Sequence, residues 1–180
     1  HQEADRLVSL INDILRLSQL DEGGALPHEQ VSVLELAQEA ARSLTAQAAA
    51  QAVHISVTGT AGTVFGVRRL LYEIARNLCE NAVKYNVPGG SVTVEVAETD
   101  RDVTLLVRDT GIGIPEGDQS RVFERFYRVD KSHSRAIGGT GLGLSIVKHA
   151  VAYHHGTLRL ESQPGKGTTI TVNLPKELTE

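Results

Sequence analysis

The sequence predicts an α+β fold: a two-layer sandwich in which a mixed, largely antiparallel sheet lies under three helices, preceded by one long bundle helix. Three observations lead there. Apolar residues recur at helical spacing in four separate segments, short stretches alternate apolar and polar residues, and short turns join four of the alternating stretches in two pairs. Helices gathered on one side of a hairpin-rich sheet give two layers, and 180 residues are enough to bury a sizeable core.

The first element lies in ADRLVSLINDILRLSQLDEGG. Leu7, Leu10, Ile14 and Leu17 follow a 3-4-3 spacing, the seam of a helix that packs lengthwise on another, and Val8, Ile11 and Leu15 widen the stripe. A helix this broadly apolar needs more than one neighbour, which a four-helix bundle supplies. Gly23-Gly24 and Pro27 stop it and mark a linker, dividing the chain into residues 1–24 and 25–180.

Ser32 followed by Glu35 is a capping box that opens a helix through Gln51, with Leu34, Ala37, Ala41 and Leu44 on one face. His54 to Val57 alternates as a short strand. A second long helix spans Val67 to Tyr85, with Leu70, Leu71, Ile74, Leu78 and Val83 apolar. Pro88-Gly89-Gly90 turns the chain into SVTVEVAE and VTLLVRD, two strands joined at Thr99-Asp100-Arg101. Gly141 to His155 forms the third helix, followed by strands TLRLES and TTITVNLP around Gly165-Lys166-Gly167.

Composition excludes several functions. A net charge of −4 leaves no electrostatic footprint for nucleic acid. The lone cysteine, Cys79, rules out a disulfide within the chain, suits a reducing compartment and reads as a small buried apolar residue. No apolar run approaches the ~20 residues that span a bilayer. The absence of methionine points to a piece excised from a larger protein, a membrane protein included.

Three motifs carry chemistry. In NLCENAVKYN, Asn77, Asn81 and Lys84 share one helix face, where amides and an ammonium are costly unless they meet a ligand. In RDTGIGIP, Asp109 ends a strand, and Gly111 and Gly113 allow close backbone approach; a carboxylate there accepts from an exocyclic amine such as adenine's. GGTGLGLSIVKH runs from a glycine cluster into a helix start, where free N–H groups and the dipole favour phosphate. The spacings fit neither a P-loop nor a Rossmann fingerprint.

NLCENAVKYN, DTGIGIP, VFERFYRVD and GGTGLGLSIVK, in this order, resemble the N, G1, F and G2 boxes of the sensor histidine kinase catalytic domain, within the gyrase, heat-shock chaperone, mismatch-repair and histidine kinase ATPases. The resemblance covers about residues 31–175, and the helix at 3–20 is similar to the second helix of the dimerisation and histidine phosphotransfer hairpin. It implies ATP and Mg²⁺ as ligands, with Asn81 as the magnesium ligand and Asn77 supporting it. It places Lys84 on phosphate, Tyr85 against adenine and Asp109 on the adenine amino group beside Gly111 and Gly113. Gly139, Thr140, Gly141, Leu142 and Gly143 cradle the phosphates. Arg125 and Arg128 are the candidates for the γ-phosphate, with the choice between them open. Glu80 stands either as an assistant to the acceptor imidazole or as a plain surface carboxylate.

The implied partners are the chain's own phosphoacceptor hairpin and a response regulator receiver domain, in a full-length homodimer. The implied location is the cytoplasmic side of a bacterial plasma-membrane protein. The acceptor block of the family is absent from the sequence. Asn86 and His155 depart from the family pattern, and neither is expected to touch a box residue. His149, His154 and His155 read as surface or helix-end residues. Phe123, Phe126 and Tyr127 read as anchors for the base of a lid, and 128–137 as the lid itself or a solvated loop. A non-transferring nucleotide-binding module, an anti-sigma serine kinase and a gyrase-type ATPase are the rival functions. Against the last, Asn77 stands where those enzymes place a water-activating glutamate.

Overall fold

The computed structural model describes residues 2–21, 26–129 and 142–177. The elements are α1 (Gln2–Asp21), β1 (Glu29–Ser32), α2 (Val33–Ser43), α3 (Thr45–Ala50), β2 (His54–Gly59), β3 (Thr63–Gly66), α4 (Arg68–Lys84), β4 (Ser91–Glu98), β5 (Asp102–Asp109), a 3-10 turn (Glu116–Asp118), α5 (Gly143–Tyr153), β6 (Thr157–Gln163) and β7 (Gly167–Pro175). Five strands form one sheet in the order β2-β4-β5-β7-β6. The β2 and β4 pair is parallel and the other pairs are antiparallel.

Alternation along the strands makes the two layers. Val92, Val94 and Val96 of β4, Val103, Leu105 and Val107 of β5, and Ile170, Val172 and Leu174 of β7 are buried. Their neighbours Thr93, Glu95, Thr104 and Arg108 are not, so the opposite face stays wet. Over the apolar face lies α4, flanked by α2 and α5. Its buried residues Leu70, Leu71, Ile74, Leu78 and Val83 are the predicted ones.

The expected helix from Ser32 to Gln51 is two helices. Ser32 caps it as predicted, its hydroxyl accepting from Glu35 N at 3.3 Å. At Leu44 the ladder closes, and the Thr45 hydroxyl donates back to Arg42 O at 2.9 Å, a local bond that competes with the helical ladder. The buried face is Val33, Leu36, Ala37, Ala40 and Leu44, one notch from the expected set, with Leu34 and Ala41 only half-buried. Two strands not expected, β1 and β3, pair antiparallel in a ribbon of their own.

On α1 Leu10 of the predicted seam packs on the rest of the chain, against Leu142 and Ile146 of the α5 start. Leu7, Val8, Ile11, Ile14 and Leu15 are exposed, at 44% or more. The side chain of Leu17 and the Gly23-Gly24 stop lie outside the described residues. No helix among the described residues is long and apolar enough to cross a membrane.

Candidate functional site

The C-terminal half of α4 and the loop after β5 meet at backbone level. Ile112 N donates to Tyr85 O at 3.0 Å, bringing the Asp109–Gly113 segment against the last turn of α4. Asn86 adds to this junction: its amide donates to Ala82 O and Ser91 O, and Thr110 Oγ1 donates to its Oδ1 at 3.1 Å. The expectation that Asn86 touches no box residue is therefore corrected. It ties NLCENAVKYN to DTGIGIP because an amide both donates and accepts, which a hydroxyl does in fewer directions.

Along α4, Asn77 is buried and donates to Glu73 O at 2.8 Å and Glu73 Oε2 at 3.0 Å. A Cβ on Gly143 would stand 3.1 Å from Asn77 Oδ1, so Gly143 lets the first turn of α5 close against this amide. Asn81, half-buried one turn later, makes no side-chain hydrogen bond among the described residues and leaves its amide open to a ligand. Glu80 is held from both sides: Arg76 reaches its Oε2 at 2.7 Å and Lys84 its Oε1 at 3.0 Å. Burial pushes the Glu80 carboxyl up, but Lys84 and Arg76 together outweigh it and hold it below the ordinary glutamate value. That suits a fixed anion better than a proton acceptor. Cys79 is buried, with burial pushing its thiol up to about 12 against the pull of Arg76.

Asp109 ends β5 half-buried. Its Oδ1 accepts from Gly111 N at 2.9 Å and Thr168 N at 3.1 Å, and its Oδ2 has no hydrogen bond among the described residues. Burial raises its pKa, partly offset by those two N–H groups. Gly113 has φ +71° and lies against the Gln163 carbonyl, where a side chain would collide. Gly167, read from the sequence only as a turn residue, has φ +106° and passes the Asp109 carbonyl with no room for a Cβ. Gly167 and Thr168 are the site residues that sequence reasoning passed over. A second glycine directly before Thr168, after an already complete turn, was the available signal.

The remaining expected residues lie farther along. Arg125 is exposed, its Nη2 3.3 Å from His149 Nε2 on α5. Arg128 is half-buried. Of the aromatic anchors, Phe123 and Tyr127 are half-buried; Tyr127 donates to Asp118 and lies under Arg121, whose guanidinium is 4.5 Å from the ring centroid. Phe126 is 54% exposed at φ +64°, which does not suit an anchor, whereas Val122 is 7% exposed. Leu142 is wholly buried beneath Leu10 and Ile146, so its side chain serves packing. Gly139, Thr140, Gly141 and the segment 130–137 lie outside the described residues.

His154 ends α5, as expected, but is fully buried and not on the surface. Its Nδ1 donates to Ala150 O at 2.7 Å and its Nε2 accepts from Val67 N at 3.1 Å, so it joins the end of α5 to the start of α4 as a neutral imidazole. Burial, with His28 and His155 adding to it and Ala150 opposing, holds its pKa below the ordinary histidine value.

A five-stranded sheet with helices over one face, an amide-bearing helix and a strand-end carboxylate meeting beside glycines, defines an ATP-binding domain of the two-layer type. The chain belongs to the histidine kinase-, DNA gyrase B-, and HSP90-like ATPase family, whose model matches residues 66–178. Within that family its relatives are sensor histidine kinases. The sensor-like histidine kinase SenX3 of Mycolicibacterium smegmatis is 43% identical over 178 residues, covering 97% of this chain and 46% of the relative. The structure of the mycobacterial sensor histidine kinase MprB is 33% identical with a TM-score of 0.73, covering 85% of this chain and 100% of that one. Full-length ShkA in complex with AMPPNP is 26% identical with a TM-score of 0.83, covering 99% of this chain and 38% of that one. The chain spans less than half the length of SenX3.

Proposed function

We propose that this chain is the catalytic portion of a sensor histidine kinase and transfers the γ-phosphoryl group of MgATP to a histidine on its own phosphoacceptor hairpin, for relay to a response regulator aspartate. The observation that carries the reading is Asp109: one oxygen fixed by two backbone N–H groups, the other left to accept. An acceptor-only group so placed selects the amino group of adenine over the carbonyl of guanine. Tyr85 lies against the base, and Gly111 and Gly113 keep that wall open.

Asn81 offers a hard oxygen to Mg²⁺, with Asn77 behind it, which suits an ion that binds through few protein groups and the substrate phosphates. Bound there, the ion would neutralise charge on the phosphate oxygens. Lys84 and the N–H groups of Gly139 to Gly143 hold the same phosphates from the protein side. Arg125 or Arg128 meets the charge of the transferring group. Positioning and charge stabilisation suffice for such a transfer, so the site needs no nucleophile of its own. Residues 1–24 act as the second hairpin helix and 25–180 as the catalytic unit, in a homodimeric parent anchored in a bacterial membrane.

The test is transfer from γ-labelled ATP to a separately supplied acceptor hairpin of the parent protein. Labelling of the hairpin that is acid-labile and base-stable is expected. Label on this chain alone, or label that survives acid, sinks the reading.

A further inference from the structure

Glu80 links two cations on one face of α4: Arg76 on one carboxylate oxygen and Lys84 on the other, one helical turn to either side. All three side chains are largely shielded, at 33%, 22% and 20% exposure for Arg76, Glu80 and Lys84. Asn81 follows Glu80 directly, so the triad borders the proposed phosphate site. As it stands Lys84 is already neutralised. A phosphate competes with Glu80 for that ammonium, and a carboxylate this shielded is costly to leave without a partner.

Arg76 removes that obstacle. We propose that Arg76 is a positioning residue that keeps Glu80 compensated while Lys84 passes from the carboxylate to the nucleotide phosphates, so that ATP binding proceeds by exchange of one ion pair for another. The inference rests on the ATP reading above and adds to it a residue outside the four boxes. The geometry supports exchange over a simple helix brace. Arg76 and Lys84 occupy different oxygens, so departure of Lys84 leaves the Arg76 bond at 2.7 Å intact. An arginine also retains its charge in any environment and can spread over both oxygens once the second is vacated.

The exchange gives opposite signs for two substitutions, which a brace does not. In Arg76→Gln, Glu80 has Lys84 as its sole cation and holds it back. ATP affinity then falls by about ten-fold, between the effects typical of exposed and of buried partners. Adenosine, which lacks phosphates, binds unchanged. Adding Glu80→Gln to Arg76→Gln frees Lys84 and returns ATP affinity to within about two-fold of the parent, and Arg76→Lys retains most of it.

Calorimetry of Mg-ATP and adenosine on the whole chain reads all of these. Arg76→Gln with parental ATP affinity, an equal loss for adenosine and ATP, or a double variant as weak as Arg76→Gln, each overturns the exchange. A parent chain that binds no ATP overturns the ATP reading itself and the exchange with it.

Discussion

Replacing Asp109 by asparagine separates what this residue does for a ligand from what it does for the fold. Its Oδ1 is the common acceptor for Gly111 N and Thr168 N, and an asparagine oxygen can keep both bonds, at 2.9 and 3.1 Å in the parent. Burial disfavours the charge, which is why the pKa is raised. Losing that charge therefore leaves stability unchanged or slightly improved. The ligand loses more: Oδ2 becomes an NH₂ group that faces the adenine amine donor to donor. A hydrogen bond to a charged group contributes about 1.5–3 kcal/mol, so affinity for ATP drops by about ten- to a hundred-fold. Asp109→Ala instead strands two N–H donors at about 1–3 kcal/mol each, less whatever water recovers, and lowers the melting temperature by roughly 5–10 °C. Titration calorimetry with ATP and GTP, beside thermal unfolding of both variants, reads the split. Unaltered ATP affinity in Asp109→Asn, or equal competition by GTP in the parent, refutes the adenine assignment. The same group sets an acid limit: because its pKa lies above the ordinary aspartate value, affinity is full at neutral pH and is lost as pH falls through that raised pKa.

Asn81→Ala should remove the Mg²⁺ dependence of ATP binding together with most of the affinity, without changing the melting temperature; metal-independent binding equal to the parent's counts against Asn81 as the ligand. His154→Ala should cost about 3 kcal/mol in chemical denaturation, because Val67 N loses its acceptor and a buried cavity opens. The parent should also weaken in acid. With the folded pKa of His154 below the ordinary value, stability is full above about pH 6.5, where both states are neutral. It declines by up to ~1.4 kcal/mol per pH unit below that, until the folded imidazole itself takes the proton. His154→Ala should lose that part of the slope.

The strands β4 to β7 were legible because valines, leucines and threonines alternate for seven or more residues between clear turns, and α4 because its apolar positions recur every three or four. The ribbon was not. Glu29–Ser32 and Thr63–Gly66 are four residues each, too short for a period, and pair across an interval that no local signal spans. The break at Leu44 was hidden in an Ala-rich run that favours helix on both sides. His154 read as a surface or helix-end residue, and it does end α5, but its burial was not legible; only the fold supplies its two backbone partners and the absent side chain of Gly66 that makes room for the ring. Around the site, motifs singled out Asn81 and Asp109, but one of the two partners of Asp109, Thr168 N, comes from a hairpin 59 positions later. Arg76 stood at legible helical spacing from Glu80, yet its weight depends on burial, which no spacing reports.

That distant hairpin ties the site to a part of the sequence made well after Asp109 itself. Thr168 N holds Asp109, Ser162 Oγ holds Ile114 N at 2.8 Å, and Gly165 N holds Ile112 O at 2.8 Å, so β6 and β7 fasten the whole loop after β5. Until those strands have joined the sheet the loop keeps only its tethers to Tyr85, Asn86 and Ser91, and a growing chain acquires its full ligand pocket only once β7 has been made. Fraying of the β6–β7 hairpin and escape of a ligand resting on Asp109 are then one event seen from two ends. A ligand at a hundred times its dissociation constant holds the hairpin shut by about 2.7 kcal/mol, and shields from proteases a stretch of chain it never touches.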